Sequence, residues 1–289
     1  MTDVPYLLTN RLQRFAPQTA AVPGGQVAYR QAGAQRISHV LLHGIGSASG
    51  SWLKQLDAAG SAKNGKSGLL AWDAPGYSTS SPVVPAQPDA GDYANQLWAW
   101  LDALNMDYPV TLVGHSLGAL MATRAAVQRP GHVVRLVLLS PAQGYARASA
   151  ADRDKKLNDR LKQLADLGPE ALGQQRGAGM VSPTAPADMK AYVQRMMSQI
   201  NVSGYTQAAH LLARGDLLTD LAQVQCPVSV ASGRLDNATP VHGCQAVALA
   251  ANTDWIDLGP VGHACALEAS SQVNALLHIH PSPTPESSP

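Results

Sequence analysis

Short apolar runs recur along the chain, separated by stretches whose apolar positions return every three or four residues. The runs at 26–29, 39–42, 69–72, 110–113, 134–139, 228–232 and 255–258 read as buried strands, because they are nearly continuous rather than alternating. Between them lie helical patterns. Over 92–105, Tyr93, Leu97, Trp100, Leu101 and Leu104 fall on one face, which predicts a helix packed on a sheet. A further helix follows the run at 110–113 and stops at Arg129-Pro130-Gly131. Strand and helix in alternation predict an α/β chain with a mostly parallel central sheet flanked by helices.

From 141 to 215 the alternation breaks, and every periodic stretch reads as helix. Ser149 followed by Asp152 resembles a capping box, Leu157, Leu161 and Leu164 share one face, and Gly168-Pro169 is a stop. A second helix over 188–200 carries Met189, Tyr192, Val193, Met196, Met197 and Ile200 on a single stripe. Methionine adapts to irregular apolar surfaces, so this stripe serves either packing on the core or contact with varied apolar ligands. The segment 141–215 is accordingly read as an inserted helical lid, with 1–140 and 216–280 as the core domain. The tail 281–289, rich in proline and serine, has nothing to build a packed element from.

Charge narrows the partners. Lysine and arginine number 21 against 20 aspartates and glutamates, without a long basic block, so no electrostatic footprint for nucleic acid or an anionic membrane is present. A small molecule that is not strongly charged is the expected partner. The N-terminal stretch lacks a basic and apolar leader pattern, and no long apolar segment occurs, which gives the expectation of a cytoplasmic protein. The three cysteines, Cys226, Cys244 and Cys265, have neither disulfide nor zinc spacing, so no metal and no cofactor are expected. Oligomeric state leaves no trace in the sequence.

Candidate chemistry begins at Gly114-His115-Ser116-Leu117-Gly118, a G-x-S-x-G motif set between a strand and a helix. Such a turn is strained and crowded, and the two glycines make room for it. Ser116 is therefore the candidate nucleophile. A serine hydroxyl needs a base to accept its proton and an acid to orient that base. His263 follows the run at 255–258 through Gly259-Pro260-Val261-Gly262, where a sheet presents loop residues over its carboxyl edge. Asp236 lies in the loop after the run at 228–232, and a turn or capping role is its alternative. The loop after 134–139, Ser140-Pro141-Ala142, offers no carboxylate. Acyl transfer also needs donors for the developing oxyanion, and the small residues of His43-Gly44-Ile45-Gly46 let a backbone N–H turn inward. The backbones of Ile45 and Leu117 are the two predicted donors.

The order Ser116, Asp236, His263, preceded by the H-G-x-G loop and by Asp73-Ala74-Pro75-Gly76, resembles the α/β-hydrolase superfamily from about residue 26 to 277. The resemblance implies the α/β-hydrolase fold and a serine hydrolase acting on a small, mainly apolar carboxylic ester or related carbonyl compound through an acyl-enzyme. Serine at the elbow departs from the aspartate that marks dehalogenases and epoxide hydrolases. The loop from His43 to Trp52 is also similar to that of hydrolases of ring-opened aromatic catabolites, which cleave carbon–carbon bonds; those commonly carry an aromatic residue after the histidine, where this chain has Ala264. Lactone hydrolysis and perhydrolysis use the same machinery, and a ligand receptor that retains the triad is the alternative outside enzymology. Asp73 is read as serving its turn. A histidine base must be neutral to accept a proton, so activity is expected to fall on the acid side.

Overall fold

The computed structural model describes residues 7–62 and 66–279, so the N-terminal hexapeptide and the tail at 281–289 lie outside the described residues. Eight strands form one sheet in the order β1-β2-β4-β3-β5-β6-β7-β8. They are β1 (Gln18–Val22), β2 (Gly25–Gly33), β3 (Ile37–Leu42), β4 (Gly68–Trp72), β5 (Val110–His115), β6 (Val133–Leu139), β7 (Val228–Ser232) and β8 (Trp255–Asp257). β1 and β2 pair antiparallel at one edge, and all pairings from β4 to β8 are parallel.

Each of the seven predicted runs is a strand. β1 had no counterpart in the hydrophobic pattern, because Gln18-Thr19-Ala20-Ala21-Val22 is an edge strand of small and polar residues left largely exposed.

Side chains alternate between two faces, and both faces are buried. Val40 and Leu42 of β3 and Leu70 and Trp72 of β4 enter one core, while Leu41, Leu69 and Ala71 enter the other. Helices α3 (Ala90–Ala103), α4 (Leu117–Gln128), α8 (Leu217–Leu221) and α9 (Val241–Ala250) cover the first face. On the second lie α1 (Leu7–Leu12), α2 (Leu53–Ser61), α10 (Cys265–Glu268) and α11 (Ser270–Leu276). Covering a parallel sheet on both sides is what near-continuous apolar strands require.

α3 starts at a true capping box, with Asp89 accepting from the backbone of Gly91 and Asp92, and Asp92 accepting in return from the Asp89 N–H.

Between β6 and β7 the chain inserts α5 (Ala150–Gly177), α6 (Ala187–Ser198) and α7 (Val202–Arg214). Ser149 caps α5 by accepting from the Asp152 N–H, and Gly168 breaks the helix at φ 69°. The predicted stop is thus a sharp kink after which helix resumes, because Pro169 sits at the start of the second half, where its missing N–H is not needed. Tyr192, Val193, Met197 and Ile200 of the methionine stripe are buried. Among the described residues no helix is long and apolar enough to cross a membrane.

Candidate active site

Four loops meet at the carboxyl edge of the parallel strands, the position where an open α/β sheet presents its ligands. β5 ends at His115, and Ser116 follows at φ 54° and ψ −117°, a conformation that an L-residue adopts only under constraint. The constraint is visible in the backbone. Ser116 N–H donates to the Leu139 carbonyl, and the Ser116 carbonyl accepts from the N–H groups of Ala119 and Ala142. A Cβ on Gly114 would lie 2.5 Å from the Gly118 carbonyl oxygen, and one on Gly118 would lie 2.2 Å from that of Leu42. Both flanking glycines are therefore obligatory for steric reasons.

β3 leads into the His43–Gly46 loop, which passes directly over the elbow: a Cβ on Gly44 would stand 2.8 Å from the Ser116 Cβ. His43 is buried and holds this loop. The Ala74 N–H donates to its Nε2 at 3.0 Å, so the proton sits on Nδ1, which donates to the Gly44 carbonyl at 2.8 Å. Burial lowers the His43 pKa and keeps the ring neutral. Asp73 accepts from the Ser49 N–H at 2.7 Å and so ties down the far end of the same loop. Ile45 and Leu117 follow directly on these anchored points, and neither backbone N–H has a partner among the described hydrogen bonds.

β7 delivers Asp236 and β8 delivers His263, whose Nδ1 lies 2.9 Å from Asp236 Oδ2. A carboxylate only accepts, so Nδ1 carries the proton and Nε2 keeps its lone pair. The other carboxylate oxygen accepts from the Ala238 and Thr239 N–H groups, each at 2.9 Å, and the Thr239 hydroxyl lies 2.8 Å from Oδ2. Asp236 is thus both a turn residue and the partner of His263, where the sequence had set these as alternatives. Burial works to raise its pKa, but the hydrogen bond and charge of His263 and the Thr239 N–H outweigh it, and the carboxyl is held well below the usual range.

Two polar neighbours escaped the sequence. Thr239 braces the carboxylate, and a threonine in a loop gives no signal of that. His115, the variable residue of the elbow motif, donates from Nε2 to the His263 carbonyl at 2.8 Å. Its own pKa is pushed down to about 3, first by burial and then by the adjacent His263, so it stays neutral. The cysteines are free, and burial pushes the Cys265 thiol up to about 12 despite its contact with Ser140. A thiol so protonated is no nucleophile. No cluster of metal-ligating side chains occurs among the described residues.

Ile45, Ser116, Leu117 and His263 line one cavity of about 500 Å³ between the strand edge and the inserted helices. A smaller apolar slot of about 40 Å³ adjoins it, sharing Ile45, Met180, Met197 and His263 and closed by Trp52 and Leu267. Met180, Met196 and Met197 line these spaces, while Met189 packs on the core and Met180 and Met196 pack on it as well, so both roles are present in the stripe and its neighbour. The arrangement gathers a constrained hydroxyl and an imidazole paired with an ionised carboxylate at one cavity, which Ile45 and Leu117 also line.

Known proteins bear a clear likeness to this chain. A hydrolase of (E)-2-((N-methylformamido)methylene)succinate from Acinetobacter baylyi is 28% identical over 252 residues, covering 85% of this chain and 90% of its own. Among solved structures, a thermophilic esterase from Thermogutta terrifontis superposes with a TM-score of 0.79 at 17% identity, covering 91% of this chain and 96% of its own. The enol-lactonase from Burkholderia xenovorans gives 0.74 at 19% identity, covering 90% and 98%. At those identities the two structures speak for the fold alone. A family profile described as the alpha/beta hydrolase family matches residues 40–276, and with that match over most of its length the chain belongs to this family of hydrolases.

Proposed function

We propose that the protein is a serine hydrolase that cleaves a small carboxylic ester through an acyl-enzyme on Ser116. The observation that carries this reading is the 2.9 Å contact between His263 Nδ1 and Asp236 Oδ2, beside the cavity that Ser116 also lines. With Nδ1 committed to the carboxylate, Nε2 is the base that takes the Ser116 proton as the hydroxyl attacks the ester carbonyl. Negative charge then grows on the carbonyl oxygen, where the Ile45 and Leu117 N–H groups stabilise it, Leu117 with the added help of the α4 N-terminus. The imidazolium returns its proton to the leaving alkoxide. Water enters, His263 deprotonates it, and attack on the acyl group restores Ser116.

The helices inserted between β6 and β7 act as a lid over this chemistry, since Met180 and Met197 line both spaces. The reacting end of the substrate is small and apolar, matching the 40 Å³ slot. The Acinetobacter relative is named a hydrolase of a succinate derivative, which agrees with a small acyl compound as substrate. Carbon–carbon cleavage is the weaker reading, because Ala264 beside His263 lines the slot where an aromatic residue is common in such enzymes.

The test is hydrolysis of p-nitrophenyl esters of increasing acyl length, beside a ring-cleavage dienoate, by wild type and Ser116→Ala. Wild type is expected to favour the shortest esters, and Ser116→Ala to lose turnover altogether. Undiminished turnover by purified Ser116→Ala protein, or a preference for the dienoate, would overturn the reading.

A further inference from the structure

The cavity above Ser116 is lined by two cations. Arg160 and Arg176 both face it, and no aspartate or glutamate is among its lining residues. They stand sixteen positions apart on α5, which in a straight helix would separate them by about 24 Å along the axis. The break at Gly168 folds the two halves toward each other and brings both guanidinium groups to one space.

Neither arginine has a carboxylate partner among the described residues. Arg160 donates to the Tyr205 hydroxyl at 3.1 Å and Arg176 to the Gln163 side-chain oxygen at 3.2 Å, so neutral groups fix their positions and leave their charges uncompensated. Two exposed cations of the same helix are paired with carboxylates, Lys155 with Asp159 and Lys162 with Asp166. Both arginines are partly buried. The Arg176 pKa is lowered, first by burial and then by the Arg160 charge, whereas for Arg160 burial is outweighed by its contacts with Tyr205 and Tyr145 and the pKa is raised, so both guanidinium groups remain charged in the cavity. Placing like charges together in a half-desolvated cavity is unfavourable until an anion joins them, and a guanidinium pair presents the forked donors that a carboxylate accepts.

We propose that Arg160 and Arg176 form a carboxylate-binding subsite, so that the substrate is an ester or related acyl compound bearing a free carboxylate at its end remote from Ser116. This inference names the substrate class of the site proposed above and rests on that reading for the reacting end alone. The substrate is then bipartite, with a compact apolar portion in the slot and an anionic portion under α5. The absence of a strong net charge on the chain is no obstacle, because the positive field is local to the cavity.

The experiment is calorimetric titration of Ser116→Ala protein with monomethyl glutarate, which carries a carboxylate, and with neutral dimethyl glutarate. The monoanion is expected to bind at least tenfold tighter and to weaken as salt rises, and Arg160→Gln or Arg176→Gln to abolish that preference while leaving dimethyl glutarate binding unchanged. Equal binding of the two probes, which needs no arginine variant to observe, overturns the proposal, as does a preference that survives in both variants. In parallel, wild-type kinetics on p-nitrophenyl hydrogen glutarate and its methyl ester separate the two claims. Carboxylate preference in binding without turnover of any ester contradicts the hydrolase reading and retains the subsite; turnover with no carboxylate preference in KM contradicts the subsite and retains the hydrolase.

Discussion

Asp236 and His263 show how far a single side chain's role depends on what holds it. The carboxylate accepts two backbone N–H groups and the imidazole, with the Thr239 hydroxyl against it, and its pKa is displaced downward. A carboxyl whose folded pKa is lowered stays ionised through the mildly acidic range, so protonation of the imidazole alone removes the base. The acid limb of the kcat/KM profile, measured between pH 4 and 8, is therefore expected to have a slope of one, with no second step from Asp236; a slope of two or a flat profile would count against this assignment. His115, held neutral down to about pH 3, adds no competing charge beside the imidazole. Replacing Asp236 by Asn makes the amide a donor toward Nδ1 and favours the wrong tautomer, and kcat is expected to fall by about 10⁴ in stopped-flow or steady-state assays. Much of this was legible in the chain, because Ser116, Asp236 and His263 each follow a strand end in sequence. Thr239 and His115 were not, since a threonine three positions after an aspartate carries no mark of bracing it, and the His115 contact joins segments 148 positions apart.

At the level of elements, strands buried on both faces announced themselves, whereas the exposed edge strand β1 has no apolar stripe to announce it. The elbow is the most exacting element. Gly118 packs its α-carbon against the Leu42 and His43 carbonyls, and backbone atoms cannot retreat as a side chain can. Gly118→Ala is expected to destabilise the protein by roughly 3 kcal/mol, read as a lowered Tm in scanning calorimetry. Gly44→Ala presses instead on the Ser116 side chain, 2.8 Å from the added Cβ, so it should reduce kcat by at least tenfold while shifting Tm much less. Equal effects of both substitutions on Tm would mean that the loop supports the fold rather than the site. The kink in α5 was read from Gly168-Pro169 as an end. Local signals mark where a helix breaks but not that a second half resumes and folds back, so nothing in the pattern brings the arginines at 160 and 176 to one cavity.

Across the whole molecule, the inserted helices are joined to the strand-edge loops by polar side chains reaching backbone carbonyls. Tyr192 donates to Gly50, Asn201 to Gly76 and Ser78, and Gln207 to Val83 and Pro85. Such ties add to the apolar contacts through which Tyr205, Ala208 and Leu211 of α7 and Tyr192 and Val193 of α6 join the two cores, and they hold the proposed lid in register. Asn201→Ala combined with Gln207→Ala is expected to speed hydrogen exchange in α5–α7 and leave the protection of β3–β6 unchanged; faster exchange throughout would indicate that insertion and sheet unfold as one unit. No periodicity in the sequence specifies this docking, because it depends on amides meeting carbonyls more than a hundred positions away. Every step of the proposed mechanism requires Ser116 to be the residue that is acylated. Treatment with a fluorophosphonate followed by peptide mass spectrometry tests this most directly: a single adduct on the peptide containing Ser116, lost in Ser116→Ala and slowed in His263→Ala, is the predicted result, and an unlabelled Ser116 or an adduct that persists in Ser116→Ala would contradict it.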